Sequence, residues 1–354
     1  MNLYLTADQV GTETGGGAVT FHESEALKEL GPCEVWDRKG IELLPSWEEP
    51  WKWDGGASLK LARMDKPGEI KLCHGYAGTF SRTIRTLKEI GVKVCWTVAA
   101  HDLEESIKEH ETIFGSYPFK HMSDPVQFAR YRQGYLDADV VVCPSQYSAD
   151  IMRRYGRTGR IEVIPHGCHL PEKVLPLPER FTVGYLGAFG PDKGVMYLLQ
   201  AWKKLAYKDA TLILAGKDSA RPDVQDWCRT HGGGNIWFAG WMNDVSDFYN
   251  AISVYVQPSV SEAFGIEVLE AYARDRQVIC SDGAGASEMV ALNDDAFIFQ
   301  CRNVDQLSEK IRWARAVLEE GCAVGCASPT RIASDHTWDK IRERYKELWK
   351  EMLA

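Results

Sequence analysis

"VYVQPSVSEAFGIEVLEAYAR", residues 254–274, reads as a buried strand, a short loop and a helix. The apolar, β-branched run ends at Pro258, and helical spacing resumes at Ile266. Glu262 falls in the loop, and Glu270 lies eight positions further on, inside the helix. Gly265 allows a ligand to approach the backbone at the helix start, where amide N–H groups and the helix dipole favour an anion. Carboxylates beside those donors accept hydrogen bonds from hydroxyls. Donors next to acceptors suit a ligand carrying both phosphate and many hydroxyls, and a nucleotide sugar is one.

The same strand–loop–helix pattern runs through the chain. "VKVCWTV" (92–98), "DVVVCP" (139–144), "IEVIP" (161–165), "FTVGYLG" (181–187), "ATLILAG" (210–216) and "QVICSD" (277–282) are bounded by Gly, Pro or Asp. Segments between them carry helical spacing, as in Val195, Leu198, Leu199, Trp202 and Leu205. Buried parallel strands joined by helical crossovers account for this, giving an α/β class. In such sheets ligands bind outside the carboxyl ends of the strands. "HLPEKVLPLPER" (169–180), with three prolines and no periodicity, reads as an interdomain linker. Trp338, Ile341, Tyr345, Leu348, Trp349 and Met352 form one apolar stripe on a terminal helix that must bury against a domain.

Composition bounds the function. The chain has 354 residues, enough for two domains, with 45% hydrophobic and 26% charged residues. A net charge of −9 argues against coating nucleic acid or an anionic membrane. "RRYGRTGR" (153–160) is the most basic stretch and reads as a solvated helix end and turn, leaving at most weak peripheral membrane contact. No run approaches the ~20 apolar residues of a membrane helix. The opening "MNLYLTADQVGTETGGG" lacks the pattern of a signal peptide. Ten scattered cysteines without C-x-x-C read as reduced, so a cytoplasmic protein is expected. Cys322 and Cys326 make a poor zinc site.

Two further loops could hold phosphate. Gly15, Gly16 and Gly17 stand at the start of a helix but do not meet G-x-G-x-x-G. "GAFGPDKGV" (187–195) carries Lys193 on a glycine-rich strand-to-helix loop without the Ser or Thr of a P-loop. The "DAD" at 137–139 reads as a structural strand start rather than a metal motif, and His74 in "KLCHGY" is a lesser candidate for the cleft.

Taken in order, these stretches resemble the retaining glycosyltransferases of family four. The resemblance rests on Gly15–Gly17, "TVAAHD" (97–102), "ADVVVCPSQYSADIM" (138–152), "IEVIPHG" (161–167), "YLGAFGPDKG" (185–194), "PSVSEAFGIEVLEA" (258–271) with its E-x7-E spacing, "GAGASEMV" (283–290) and "HTWDKIRERY" (336–345). It implies the GT-B fold: two facing Rossmann-like domains with a cleft between them and a C-terminal helix returning to the first. The domains would be 1–172, completed by 336–354, on the acceptor side, and 173–335 on the donor side.

The resemblance also implies roles. Glu262 would sit at the donor sugar and Glu270 at the ribose hydroxyls. Amides around Phe264 and Gly265 would help hold the sugar. Lys193 and the Gly15–Gly17 loop would contact the diphosphate, and His101 would lie beside the reacting sugar. The chain departs from the family at Ala188, where an arginine usually follows the glycine that ends the strand; Lys217 is a possible substitute. Asp275 and Gln277 replace the usual Gly and Pro after the helix.

The expected activity is retaining transfer of a hexose from a UDP- or GDP-linked donor to a carbohydrate or other hydroxyl-bearing acceptor. No cofactor is required, and a divalent metal is possible but not expected. The alternatives are a sugar-nucleotide 2-epimerase of the same fold and a non-catalytic sugar-nucleotide binding protein.

Overall fold

The computed structural model describes residues 1–6, 10, 15–37, 51–76, 80–98, 103–114, 133–217, 222–231, 235–242, 244–321 and 329–354. The chain divides into two compact units. One comprises Met1–Ala100, Tyr117–His166 and Trp338–Ala354; the other comprises His101–Ser116 and Gly167–Thr337.

The first unit is built on a parallel six-stranded sheet in the order β2-β1-β3-β4-β5-β6. Its strands are β1 (Asn2–Thr6), β2 (Cys33–Trp36), β3 (Leu72–Tyr76), β4 (Lys93–Thr97), β5 (Val140–Cys143) and β6 (Arg160–Val163). The order reverses between β1 and β3, and the helix Gly15–Glu29 that follows β1 opens with the three glycines.

The C-terminal helix Trp338–Leu353 belongs to this unit, with Trp338, Ile341, Tyr345, Leu348 and Trp349 of its stripe buried. A buried polar group fixes its position. The Trp349 indole N–H donates to His74 Nδ1 at 3.2 Å, and the Tyr345 and Thr97 hydroxyls meet at 3.1 Å. On its other side His74 Nε2 lies 3.2 Å from Glu23, which also accepts from the Tyr4 hydroxyl at 2.6 Å. His74 is therefore a fully buried anchor for the last helix, because a buried polar ring needs partners.

The basic stretch 153–160 is also used internally. The Arg157 guanidinium is buried and donates to the carbonyls of Leu136, Ala138, Asp139 and Arg160 at 2.8–3.0 Å. Arg160 forks onto Glu351 of the terminal helix at 2.7 and 2.9 Å. Asp139 accepts from the Val94 amide at 2.8 Å and pairs with Lys88 at 2.9 Å, so it serves the β4–β5 junction. Arg157→Ala strips a donor from four carbonyls and should cost roughly 3 kcal/mol in urea unfolding. Arg157→Lys should recover only part of that loss, because an ammonium cannot span the same fork.

The second unit has a parallel sheet in the order β9-β8-β7-β10-β11-β12. These are β7 (Thr182–Leu186), β8 (Thr211–Ala215), β9 (Ile236–Gly240), β10 (Val254–Gln257), β11 (Gln277–Ser281) and β12 (Ile298–Phe299). Counted from the unit's own first strand this is 3-2-1-4-5-6, the doubly wound nucleotide-binding order. All seven strand-like runs of the sequence contain a strand. β10 and β11 are buried along their whole length, as strands covered on both faces must be. The proline-rich stretch 169–180 carries no helix or strand.

The helix Leu103–Phe114 also belongs to this second unit. Arg302 forks onto Glu105 and Glu109 at 2.8 Å each, and the Tyr197 hydroxyl donates to Glu109 at 2.5 Å. Asp275, where the family usually has glycine, takes φ 57. Aspartate tolerates this left-handed conformation better than most side chains.

Candidate active site

The strand order of the second unit reverses between β7 and β10, and the loops after these two strands form the site. After β7 comes a 3-10 turn, Pro191–Lys193, and then the helix Val195–Leu205. After β10 comes the loop with Glu262 and the helix Ile266–Ala273. The loops are locked together: the Asp192 carbonyl accepts from the Val260 amide at 2.7 Å. Gly194 has φ 71, and a Cβ there would stand 1.9 Å from the Pro258 carbonyl oxygen, so only glycine lets the backbones approach this closely.

The loop after β11 holds Glu262 from the other side. The Glu262 amide donates to the Gly283 carbonyl at 2.9 Å, and the Gly285 amide donates to the Glu262 carbonyl at 3.0 Å. The Glu262 side chain meets the Lys193 ammonium in an ion pair. Their side chains keep 20% and 27% exposure, so both remain open to a ligand. Burial alone would lower the Lys193 pKa; the Glu262 and Asp192 carboxylates reverse that and hold the lysine charged.

Gly265, at φ 101, caps the helix start with no side chain closing it. Phe264 is buried beneath it, and its carbonyl accepts from the Ala286 amide at 2.7 Å. Glu270 accepts from the buried Tyr249 hydroxyl at 2.8 Å through one carboxylate oxygen. Burial raises the Glu270 pKa, while the Tyr249 hydrogen bond and Arg274 oppose the rise.

Lys193, Glu262, Phe264 and Gly265 therefore lie on two loops at one end of the second sheet, with Glu270 on the helix that follows one of them. Gly15–Gly17 open a helix in the first unit, and His101 lies outside the described residues. Ala188 is exposed and brings no charge to its loop; Lys217 is exposed as well. Sequence reasoning missed Tyr249 and Glu267. Glu267 could have been noticed, because it lies three residues before Glu270 and so shares its helical face. Among the described residues no group of three His, Cys, Asp or Glu side chains is placed to hold a metal ion.

Two family models divide the chain between them. "Glycosyltransferase Family 4" matches residues 16–170 and "Glycosyl transferases group 1" matches residues 170–316. The chain belongs to the family-four glycosyltransferases.

Curated relatives agree with this membership. A capsular polysaccharide biosynthesis glycosyltransferase of Staphylococcus aureus is 25% identical over 49% of this chain and 48% of its own length. The O-antigen chain mannosyltransferase B of Escherichia coli is 26% identical over 60% and 61%. The chain thus spans about two-fifths to three-fifths of the curated relatives it matches. Among solved structures, sucrose-phosphate synthase of Thermosynechococcus elongatus superposes with a TM-score of 0.79 at 18% identity, covering 99% of this chain and 98% of that one. Anabaena HepE, solved with UDP and glucose, gives 0.69 at 17% identity over 99% of both chains. Two doubly wound units and these likenesses make the family-four chain a GT-B protein. No described helix is long and apolar enough to cross a membrane.

Proposed function

We propose that this chain transfers a hexose from a UDP- or GDP-linked donor to an acceptor hydroxyl, with retention of configuration. The observation that carries the reading is the Lys193–Glu262 pair at the β7–β10 reversal, with Glu270 on the adjoining helix. Departure of a sugar from its diphosphate builds negative charge on phosphate, and a preorganised cation there is the largest expected catalytic contribution. Lys193 is that cation. Glu262 meets the donor sugar, amides at Phe264 and Gly265 help hold it, and Glu270 accepts from the ribose hydroxyls. His101 and Gly15–Gly17 keep the roles the family resemblance implies, at the reacting sugar and the diphosphate. The leaving phosphate takes the proton of the attacking hydroxyl, and no divalent metal is needed.

The deciding experiment incubates the protein with UDP- and GDP-sugars and an acceptor array, then assigns the product anomer by NMR. Transfer that preserves the donor's configuration supports the reading. Conversion of donor to an epimer without acceptor, or tight binding with no turnover, removes it.

Glu270→Ala should weaken nucleotide binding by roughly 1.5–3 kcal/mol, the worth of hydrogen bonds to a charged group. A 2′,3′-dideoxy nucleotide should lose affinity on the wild type and little on the variant in calorimetry. Equal losses on both proteins would remove Glu270 from the ribose.

A further inference from the structure

The loop after β10 holds the Lys193 turn from one side. A helix with no role in the reading above backs it from another. The helix Leu103–Phe114 belongs to the second unit, although the chain before and after it belongs to the first. It packs against the 3-10 turn Pro191–Lys193. Glu105 and Glu109, four residues apart, share one face of this helix. The Arg302 guanidinium spans both, donating from Nε to Glu109 and from Nη2 to Glu105. The second Glu109 oxygen accepts from the Tyr197 hydroxyl at 2.5 Å.

Tyr197 lies four residues after Lys193, in the first turn of the helix Val195–Leu205, and its amide donates to the Gly194 carbonyl at 3.0 Å. A carbonyl only accepts, so His110 Nδ1 donates to that of Ser106 at 2.8 Å. His110 Nε2 then faces the Asp192 carboxylate 4.0 Å away. The helix Leu103–Phe114 therefore meets the chain immediately before Lys193 and again one turn after it.

This arrangement is costly to build. Glu109 is 3% exposed, and a buried carboxylate is tolerated only when its oxygens are paired, here by a guanidinium and a phenol. Arg302 takes φ 67, a left-handed backbone that disfavours a residue with a Cβ. Such a conformation persists where the surroundings over-determine it and clusters where function needs a fixed geometry. The fork onto Glu105 and Glu109 supplies that determination.

We propose that Glu109, held by Arg302, is a positioning residue for Lys193. Through the Tyr197 hydroxyl it fixes the start of the helix Val195–Leu205, and with it the turn that aims the ammonium at the departing diphosphate. The proposal rests on the donor-site reading. In this role Glu109, Arg302 and Tyr197 act on the reaction only through Lys193. A loosened turn still lets the lysine find the ground-state diphosphate, but not at the place where charge develops. Turnover is lost and nucleotide binding is kept.

A double-mutant cycle separates this from a merely structural network. Glu109→Gln and Tyr197→Phe are each made in the wild-type and Lys193→Ala backgrounds. Single turnovers with the UDP- or GDP-sugar that the wild type transfers are followed at saturating donor, well below each variant's melting temperature. Tyr197→Phe deletes one oxygen and keeps the ring, so it carries the test if Glu109→Gln fails to fold. In the wild-type background Glu109→Gln should slow transfer by roughly tenfold to 10²-fold, the scale of a misplaced catalytic group. Tyr197→Phe should slow it several-fold, while calorimetry finds UDP or GDP affinity nearly unchanged. In the Lys193→Ala background both changes should be almost silent, because no ammonium remains to be positioned. Equal losses in the two backgrounds overturn the proposal, as does wild-type turnover in Tyr197→Phe. If no such donor is transferred, or Lys193→Ala is as fast as wild type, the donor-site reading itself falls and takes this proposal with it.

Discussion

Lys193→Ala should lower sugar transfer by on the order of 10²–10³-fold, the loss expected when a preorganised group aimed at developing charge is removed. The lysine is held charged between Glu262 and Asp192, on a turn whose backbone is bonded to the neighbouring loop. It therefore needs no reorganisation when the diphosphate departs. With Ala188 beside it, no second side-chain cation on the loop shares the work. Steady-state rates measured with and without EDTA check both halves of the argument. Wild-type activity should withstand EDTA, and manganese should not rescue Lys193→Ala. A wild-type enzyme killed by EDTA and restored by manganese would place a metal where the lysine has been assigned.

Glu262→Gln should separate binding from turnover in opposite directions. Glu262 neutralises Lys193 in the ion pair, so a diphosphate must compete with that carboxylate for the ammonium. Removing the carboxylate's charge frees Lys193 and should tighten UDP or GDP binding several-fold. An interaction with the sugar that strengthens in the transition state is lost in the same change, and turnover should fall by about 10²-fold or more. Calorimetry and initial rates on one preparation suffice. A variant that binds nucleotide worse and turns over normally would invert the assignment.

Much of this molecule was legible before folding was considered. The seven apolar runs are strands because continuous Val, Ile and Leu between turn residues suit a sheet buried on both faces. The stripe from Trp338 to Trp349 is buried for the same reason on a 3.6-residue period. Glu262 and Gly265 announced a strand–loop–helix site because side-chain chemistry and backbone freedom were adjacent in one short stretch. Lys193, 69 residues from Glu262, was legible only as a lysine on a glycine-rich loop. Its partner was set by strand order, which makes β7 and β10 neighbours although two strands intervene in sequence.

Three features belonged to the tertiary structure alone. His74 had the chemistry of a site residue, but packing under Trp349 made it an anchor, since no local pattern tells a buried histidine from an exposed one. The basic stretch 153–160 looked like a solvated surface until Arg157 turned inward to carbonyls from a different segment. Glu267 was legible in the sequence only as a carboxylate on the helical face of Glu270. Its perturbed acidity arises because burial and the Glu262 and Glu270 carboxylates act together at one point in space. Periodicity and local chemistry determined the elements and several of the site's candidates; long-range packing, which sets each group's dielectric and charge neighbours, decided what those groups are equipped to do.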